Sequence, residues 1–153
     1  MPAKKLKEFL EKEHVSYSTV LHPLAYTAQD VAAAAHISGK EVAKTVVVEI
    51  DGRLAMVVLP ANRKIILAEL REVTGCDRVN LVSEEDFGLL FRDCEIGAMP
   101  PFGNLYGMDV YVAPDLAEDE EIAFNAGSHT ELIKMAYRDF ERLVHPKVIS
   151  FTT

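Results

Sequence analysis

The sequence predicts a mixed α+β (mixed α/β) fold, and three observations support this. Short apolar runs of strand length alternate with amphipathic segments of helical period. Several of the apolar runs are joined by tight turns, which favours a mixed sheet over a doubly wound parallel one. The length of 153 residues fits one domain with a full core. We therefore expect a single domain, residues 1–153, in which helices flank a mixed sheet.

The N-terminal part predicts two helices around one strand. Residues 3–14 have an amphipathic period, and Tyr17–Leu21 is rich in aromatic and β-branched residues. Thr27, followed three residues later by Asp30, resembles a capping box at the start of an alanine-rich helix. We expect Gly39 to end that helix.

The clearest hairpin in the sequence lies in residues 44–59. Its two arms, 44–50 and 54–59, are joined by Asp51-Gly52, a dipeptide typical of tight β-turns. Both arms are continuous apolar runs, which predicts a sheet covered on both faces. After the hairpin, we expect a helix capped by Asn62 that runs through Arg71 and ends at Gly75.

The second half predicts shorter elements, namely three strands and two helices: residues 78–82, 109–112 and 121–124, and residues 83–91 and 138–144. The stretch 128–135 fits two structures. Ser128 and Glu131 have the spacing of a capping box, whereas Asn125-Ala126-Gly127 fits a turn between two strands. Periodicity over so few residues does not decide between them.

Composition and charge exclude several classes of function. The net charge of −8 argues against broad nucleic-acid binding, so we expect no DNA partner. No apolar run approaches the roughly 20 residues of a membrane helix, and the first residues lack a signal-peptide core. We therefore expect a cytoplasmic protein with no membrane partner. Cys76 and Cys94 form no paired motif, so we expect no metal site and no cofactor.

Two segments carry the strongest chemical signal. Lys44 opens a buried-looking strand, where a charge is costly unless it snorkels to water or meets a partner. Residues 97–103 form a loop rich in glycine and proline, which can be an ordinary turn. Such a loop is also stiff, and it can present backbone N–H groups to a developing oxyanion. Together they suggest a cationic group that faces a preformed backbone cradle.

His129 is the most plausible general base or water-orienting group, although a lone histidine is more often structural. Motifs of serine hydrolases, zinc peptidases, P-loops and dinucleotide folds are absent from the sequence. The familiar nucleophilic and zinc mechanisms therefore lack support.

Three motifs together resemble the YbaK family, which includes the editing domain of bacterial prolyl-tRNA synthetases and its free-standing relatives. These are Ala43-Lys44-Thr45-Val46-Val47-Val48, Gly97-x-x-x-Pro101-x-Gly103 and Asn125-Ala126-Gly127. The resemblance implies a YbaK-like domain with a barrel-like sheet and a hairpin at 125–135. It also implies hydrolysis of mischarged aminoacyl-tRNA, with the tRNA acceptor end as partner and a synthetase as a candidate partner.

The resemblance also implies roles for particular residues. Lys44 would act on the substrate carbonyl or the tRNA end, Gly97 would belong to the catalytic loop, and His129 would assist catalysis. The substrate-binding residues would be Ala98, Met99, Pro100, Pro101, Phe102, Gly103, Asn125 and Gly127. Met99, Phe102 and Tyr26 are candidates for the wall of the amino-acid pocket. The cysteine-specific members of the family carry smaller residues around the loop than this chain does, which leaves alanine, serine, threonine and cysteine open.

The chemistry is consistent with the absence of a nucleophile. An aminoacyl ester is already activated, so positioning a water and stabilising the oxyanion could suffice. A cluster of Lys40, Lys44, Arg63 and Lys64 could meet a few phosphates despite the acidic net charge. The alternatives are a non-catalytic binding module for tRNA 3′ ends or nucleotides, and a plain interaction domain.

Overall fold

A two-stranded hairpin at residues 42–60 forms the centre of the fold. The computed structural model describes residues 4–83, 94–95 and 98–153. The strands are β1 (Tyr17–Leu21), β2 (Val42–Ile50), β3 (Arg53–Pro60), β4 (Val79–Leu81), β5 (Asp109–Val112), β6 (Glu121–Ser128), β7 (Glu131–Ala136) and β8 (Lys147–Val148). The helices are α1 (Lys4–Lys12), α2 (Ala28–Ala34), α3 (Leu67–Thr74), α4 (Pro114–Ala117) and α5 (Tyr137–Val144).

The strands form one mixed sheet in the order β1-β7-β6-β2-β3-β5-β8, with β4 paired to β2. The pairs β1–β7, β6–β7, β2–β3 and β2–β4 are antiparallel, whereas β2–β6, β3–β5 and β5–β8 are parallel. The sheet curls into a half-barrel. The predicted mixed α+β class is therefore confirmed.

The central hairpin turns as its sequence predicts. Asp51 and Gly52 have φ values of 48° and 86°, the left-handed conformation that a two-residue turn of type I′ requires at both positions. The strands remain in register from Ala43 opposite Pro60 to Ile50 opposite Arg53.

Apolar side chains cover both faces of the sheet, as the continuous apolar arms predict. On one face, α1 and α5 contribute Leu6, Leu10 and Phe140 to the largest buried cluster. On the other face, α2 packs over Val42, while α3 and the C-terminal segment pack over Val48. This second face therefore carries two separate helical covers.

Two helix boundaries differ from the sequence prediction. Helix α2 ends at Ala34 rather than near Gly39, because His36 adopts a φ of 57°, outside the helical region. Helix α3 begins at Leu67 rather than after Asn62. Ile65 pairs with Thr152, and the Ile66 amide donates to the Phe151 carbonyl at 2.7 Å, so these residues belong to an extended segment.

The ambiguous stretch at 128–135 is a hairpin. Strand β6 continues to Ser128 and β7 starts at Glu131, so the alternative with a helix cap is wrong. The predicted helix at 83–91 lies outside the described residues from position 84 onwards. Strand β8 and helix α4 were not predicted, because each is too short to show a period.

Among the described residues, none of the helices combines the length and the apolarity needed to span a membrane.

One ion pair fastens α1 to the sheet beside the β6–β7 turn. Lys7 Nζ lies 2.6 Å from Glu131 Oε1, and the two side chains are only 23% and 15% exposed. We expect Lys7→Met to lower the free energy of unfolding by about 2–3 kcal/mol, because it leaves a largely buried carboxylate unpaired. Urea unfolding measures the change.

Lys4→Met on the same helix is the matched control. Lys4 lies 3.9 Å from Glu8 and both side chains are largely exposed, so the loss should remain below about 0.5 kcal/mol. Equal losses for the two variants would contradict this structural role of Lys7.

Candidate active site

The candidate site lies where two strands diverge from one edge of β2. Strand β6 pairs with β2 only at Val42 and Ala43, and β4 pairs only with residues 48–50. Among the described strands, none pairs with this edge from residue 44 to residue 47. The Val47 carbonyl accepts from the Val82 amide there at 3.3 Å. Since backbone groups alternate along a strand, those of Thr45 point into the same opening.

Lys44 lies on the sheet face that α2 and α3 cover, between these two helices. Side chains alternate along a strand, so Lys44 shares a face with Val42 under α2 and Val46 beside α3. Lys44 itself is half-buried. Burial lowers the pKa of its ammonium, and the nearby charge of Lys64 lowers the pKa further. An anionic or carbonyl ligand would relieve both effects.

Asn125 reaches the same place from β6. The parallel register pairs Ala43 with Phe124, so the next residues, Lys44 and Asn125, lie abreast at the end of the pairing. The Asn125 side-chain oxygen is buried and has no hydrogen-bond partner among the described residues. It is available as an acceptor for a ligand beside the lysine.

The Gly/Pro loop is fastened to the end of β6. The Glu95 amide donates to the Gly127 carbonyl at 2.7 Å, and the Gly127 amide donates to the Ala98 carbonyl at 3.0 Å. Gly127 has a φ of 85° at a β-bulge, a conformation that favours glycine. Glycine at this position therefore lets β6 hold the start of the loop at Glu95 and Ala98, while Gly97 between them lies outside the described residues.

The remaining loop residues are buried, and they give the cradle its stiffness. Met99, Pro100, Pro101 and Gly103 are buried, and Phe102 packs against the rings of Phe124 and Phe140. The Met99 and Phe102 side chains belong to the core cluster. These two candidates for the pocket wall are therefore almost fully buried, with 6% and 0% exposed respectively, and their contact with a substrate stays a prediction.

His129 lies in the two-residue turn between β6 and β7. Its side chain is only 6% exposed, and the ring of Tyr26 lies 4.9 Å away. The segment that bears Tyr26 is held there, because the Ala25 amide donates to the His129 carbonyl at 3.2 Å. His129 is therefore close to the loop but shielded by Tyr26, which is itself exposed.

His22 is also buried. Its Nδ1 lies 2.8 Å from the Pro23 carbonyl oxygen, and its amide donates to the Thr130 carbonyl at 2.9 Å. His22 therefore supports the turn that carries His129.

The expected basic cluster is only partly formed. Lys64 lies close enough to Lys44 to lower its pKa. Arg63 instead pairs with Asp115 at 3.0 Å, and Lys40 lies near Asp119, whose pKa it acts to lower. Lys44 and Lys64 are therefore the cations of this cluster that the structure brings together.

Sequence reasoning missed two residues at the site. Glu95 uses its amide to hold Gly127, and its Oε2 accepts from the His129 amide at 3.3 Å. Thr45 has a buried hydroxyl without a partner among the described residues. Glu95 carried no sequence signal, whereas Thr45 stands out as the polar residue beside Lys44 in an apolar strand.

Gly103 is packed too closely for a side chain. A Cβ at this position would lie 2.7 Å from both the Met108 carbonyl oxygen and Val110 Cγ2. We expect Gly103→Ala to lower the free energy of unfolding by about 1–3 kcal/mol through overpacking. Urea unfolding measures the loss.

Gly39→Ala is the control, since its Cβ would make only an ordinary 3.5 Å contact with Asn62. If the two alanine variants were equally stable, the loop would be looser than its packing indicates.

Comparisons with known proteins bear on the family of this chain. The model of the aminoacyl-tRNA editing domain matches residues 22–143. The chain is 26% identical over 152 residues to the multifunctional Ser/Thr-tRNA deacylase ProXp-y of Escherichia coli (strain K12), covering 96% of this chain and 90% of that protein.

Two solved structures share the fold at 18% identity. One is described as a candidate trans-editing enzyme for prolyl-tRNA synthetase, with a TM-score of 0.83 over 99% of this chain and 96% of that one. The other, hypothetical protein APE2540, has a TM-score of 0.86 over 98% and 100%. Since the editing-domain model spans most of the chain, the protein belongs to the aminoacyl-tRNA editing domain family, the YbaK-type family that its motifs resemble.

Proposed function

We propose that this protein is a trans-editing deacylase that hydrolyses the ester between a wrongly attached amino acid and its tRNA. The observation that carries the proposal is the position of Lys44. It is a half-buried cation at the opening in β2, abreast of Asn125 on β6, and β6 is the strand to which the stiff loop is fastened. An ester at the end of a phosphate chain offers both a carbonyl and anions to such a site.

The proposed reaction needs no covalent intermediate. A water oxygen attacks the ester carbonyl carbon, the bond to the terminal ribose oxygen breaks, and that oxygen takes up the proton that the attacking water gives up. Lys44 and the loop N–H groups stabilise the negative oxygen of the tetrahedral intermediate, and each such donor lowers the barrier by about 3–4 kcal/mol. His129 is the candidate for orienting the water, and its shield, Tyr26, would then have to shift.

The proposed substrate carries a small amino acid. The E. coli relative is named a Ser/Thr-tRNA deacylase, and the buried side-chain oxygen of Asn125, abreast of Lys44, lacks a partner among the described residues. This acceptor suits the ammonium or hydroxyl group of serine or threonine. We propose mischarged tRNA-Pro or a similar tRNA as the substrate, a synthetase as the partner that releases it, and the cytoplasm as the place of reaction.

A panel of mischarged tRNAs tests this function. We expect faster loss of serine or threonine from tRNA than in buffer, and little effect on correctly charged prolyl-tRNA. Lys44→Ala should reduce the rate by about 100-fold or more, because it removes an oxyanion contact, while the circular dichroism remains unchanged. Lys12→Ala, an exposed lysine of α1, is the matched control and should retain full activity.

Three outcomes would contradict the proposal. If no charged tRNA is hydrolysed faster than in buffer, the protein is not a deacylase for this panel. Tight binding of the tRNA without turnover would favour the non-catalytic module instead. A folded, fully active Lys44→Ala variant would remove Lys44 from the mechanism.

The lowered pKa of Lys44 predicts a particular pH profile. Because its ammonium loses the proton at lower pH than an ordinary lysine, single-turnover deacylation should decline on the alkaline side of the profile. Lys64→Gln removes one cause of the lowered pKa, so the decline should move to higher pH. Burial remains as the larger cause, and the shift should be partial.

Rates in this experiment are corrected for spontaneous ester hydrolysis, which rises with pH. Lys12→Gln, which removes a distant positive charge, should leave the profile in place. An unchanged profile in Lys64→Gln would show that the ionisation of Lys44 does not limit the reaction.

A further inference from the structure

A second concave site lies at the other end of strand β6. It is a cleft of about 680 Å³ between the start of β6 and the start of α5. Strand β6 begins at Glu121 beside the cleft and ends at Ser128 beside the candidate active site. At the usual rise per residue these two ends are roughly 23 Å apart. A ligand in the cleft would therefore not contact Lys44 or His129.

The lining of the cleft is strongly acidic. Four carboxylates and one cation line it: Asp119, Glu120, Glu121, Glu141 and Arg138. The Glu121 carboxylate forms a long ion pair with Lys134, in which its Oε1 lies 3.7 Å from the lysine Nζ. The excess of negative charge in a concave surface attracts cations and repels the phosphates of a tRNA.

Tyr137 supplies an observation independent of the charge. It lines the cleft, and only 4% of it is exposed. Burial above all, and then the charge of the Glu141 carboxylate and a side-chain hydrogen bond with it, raise the pKa of Tyr137 to about 12. By strict hydrogen-bond geometry the hydroxyl oxygen accepts from none of the described residues. A hydroxyl that donates to a carboxylate keeps its own lone pairs, so this oxygen remains an unused acceptor.

Asp119 contributes a second unused acceptor. Its Oδ2 is buried and has no hydrogen-bond partner among the described residues. Burial and the neighbouring carboxylates Glu41, Asp115 and Glu118 raise the pKa of Asp119, while Lys40 opposes them. A positively charged ligand with N–H donors would offset the negative charge of the cleft and would also donate hydrogen bonds to these oxygens.

We propose that this cleft binds a guanidinium or primary ammonium group, held by Glu141, Asp119 and the hydroxyl oxygen of Tyr137. Both groups carry several N–H donors and no acceptor, which matches a wall of oxygen acceptors. The planar guanidinium fork suits carboxylates in particular. A bare metal ion fits less well, because no group of three or more His, Cys, Asp or Glu in the described part of the chain is placed to hold one.

The group could belong to a small amine or to a basic side chain of a partner protein, and calorimetry separates the two. Agmatine, spermidine and a short arginine-containing peptide are titrated into the intact protein, with magnesium chloride as an ionic control. Glu141→Gln and Tyr137→Phe should each weaken binding of the arginine or amine probe by about tenfold, as expected for a hydrogen bond to a charged group. Arg138→Gln should strengthen it.

Glu11→Gln on α1 is the matched control, because it removes the same charge from an exposed position away from the cleft. Tyr137→Phe has a second readout. Without ligand it should lower the midpoint of thermal unfolding only slightly, since the one side-chain contact of the hydroxyl is with Glu141 and lacks good hydrogen-bond geometry. Binding of agmatine or spermidine would assign the cleft to a small amine, and binding of the peptide alone would assign it to a protein segment.

The proposal fails if none of the three probes binds at millimolar concentration. It also fails if Glu141→Gln and Glu11→Gln weaken binding equally, which would indicate attraction by net charge alone. Neither result bears on deacylation, because the cleft contains none of the residues of the candidate active site.

Discussion

The pairing of β2 with two different strands along one edge is the constraint on which the site depends. Strand β6 uses the first two residues of β2 and β4 uses the last three, so the middle of this edge opens between them. A regular sheet would have paired these backbone groups and covered Lys44. The opening leaves the charged side chain of Lys44 and the buried hydroxyl of Thr45 beside a gap. In a protein interior, each of these groups costs free energy unless it has a partner.

The hydrophobic clusters explain how the fold tolerates this irregularity. Beneath the sheet, the largest cluster is continuous and includes the buried loop residues Met99 and Phe102. On the opposite face, the helical covers are separate, one over Val42 and one over Val48. The apolar cluster is thus continuous on the face that α1 and α5 cover, whereas on the opposite face it is divided into two clusters. Lys44 extends into the interruption, where its stem can pack and its charge keeps access to a ligand.

The sequence predicted the elements that local physics determines. The Asp51-Gly52 hairpin, helix α1 and helix α5 follow from turn chemistry and period, and the structure contains them. The early end of α2 and the late start of α3 arise from contacts distant in sequence, such as that of Ile65 with Thr152, and no local pattern encodes them. The residues of the candidate site divide in the same way, into those that a local pattern indicates and those that only tertiary contacts place.

Among the site residues, Lys44 was recognisable because a charge interrupts an apolar pattern. The roles of Glu95 and of the shield over His129 depend on which segments meet in space. The burial of Phe102 likewise follows from its neighbours in the core rather than from the loop motif. Residue type therefore indicated the chemistry of the site, while tertiary contacts decided which side chains are accessible.

The bonds made by Glu95 couple two parts of the site. Its amide holds Gly127 and its carboxylate accepts from the His129 amide, while Gly127 also holds Ala98. Displacement of the loop from β6 would remove a hydrogen bond from the His129 amide in the same step, while the β6–β7 hairpin and His22 would still hold the turn. The position of the loop and the placement of His129 are thus coupled through one side chain, so a substrate that binds at the loop also acts on the histidine turn.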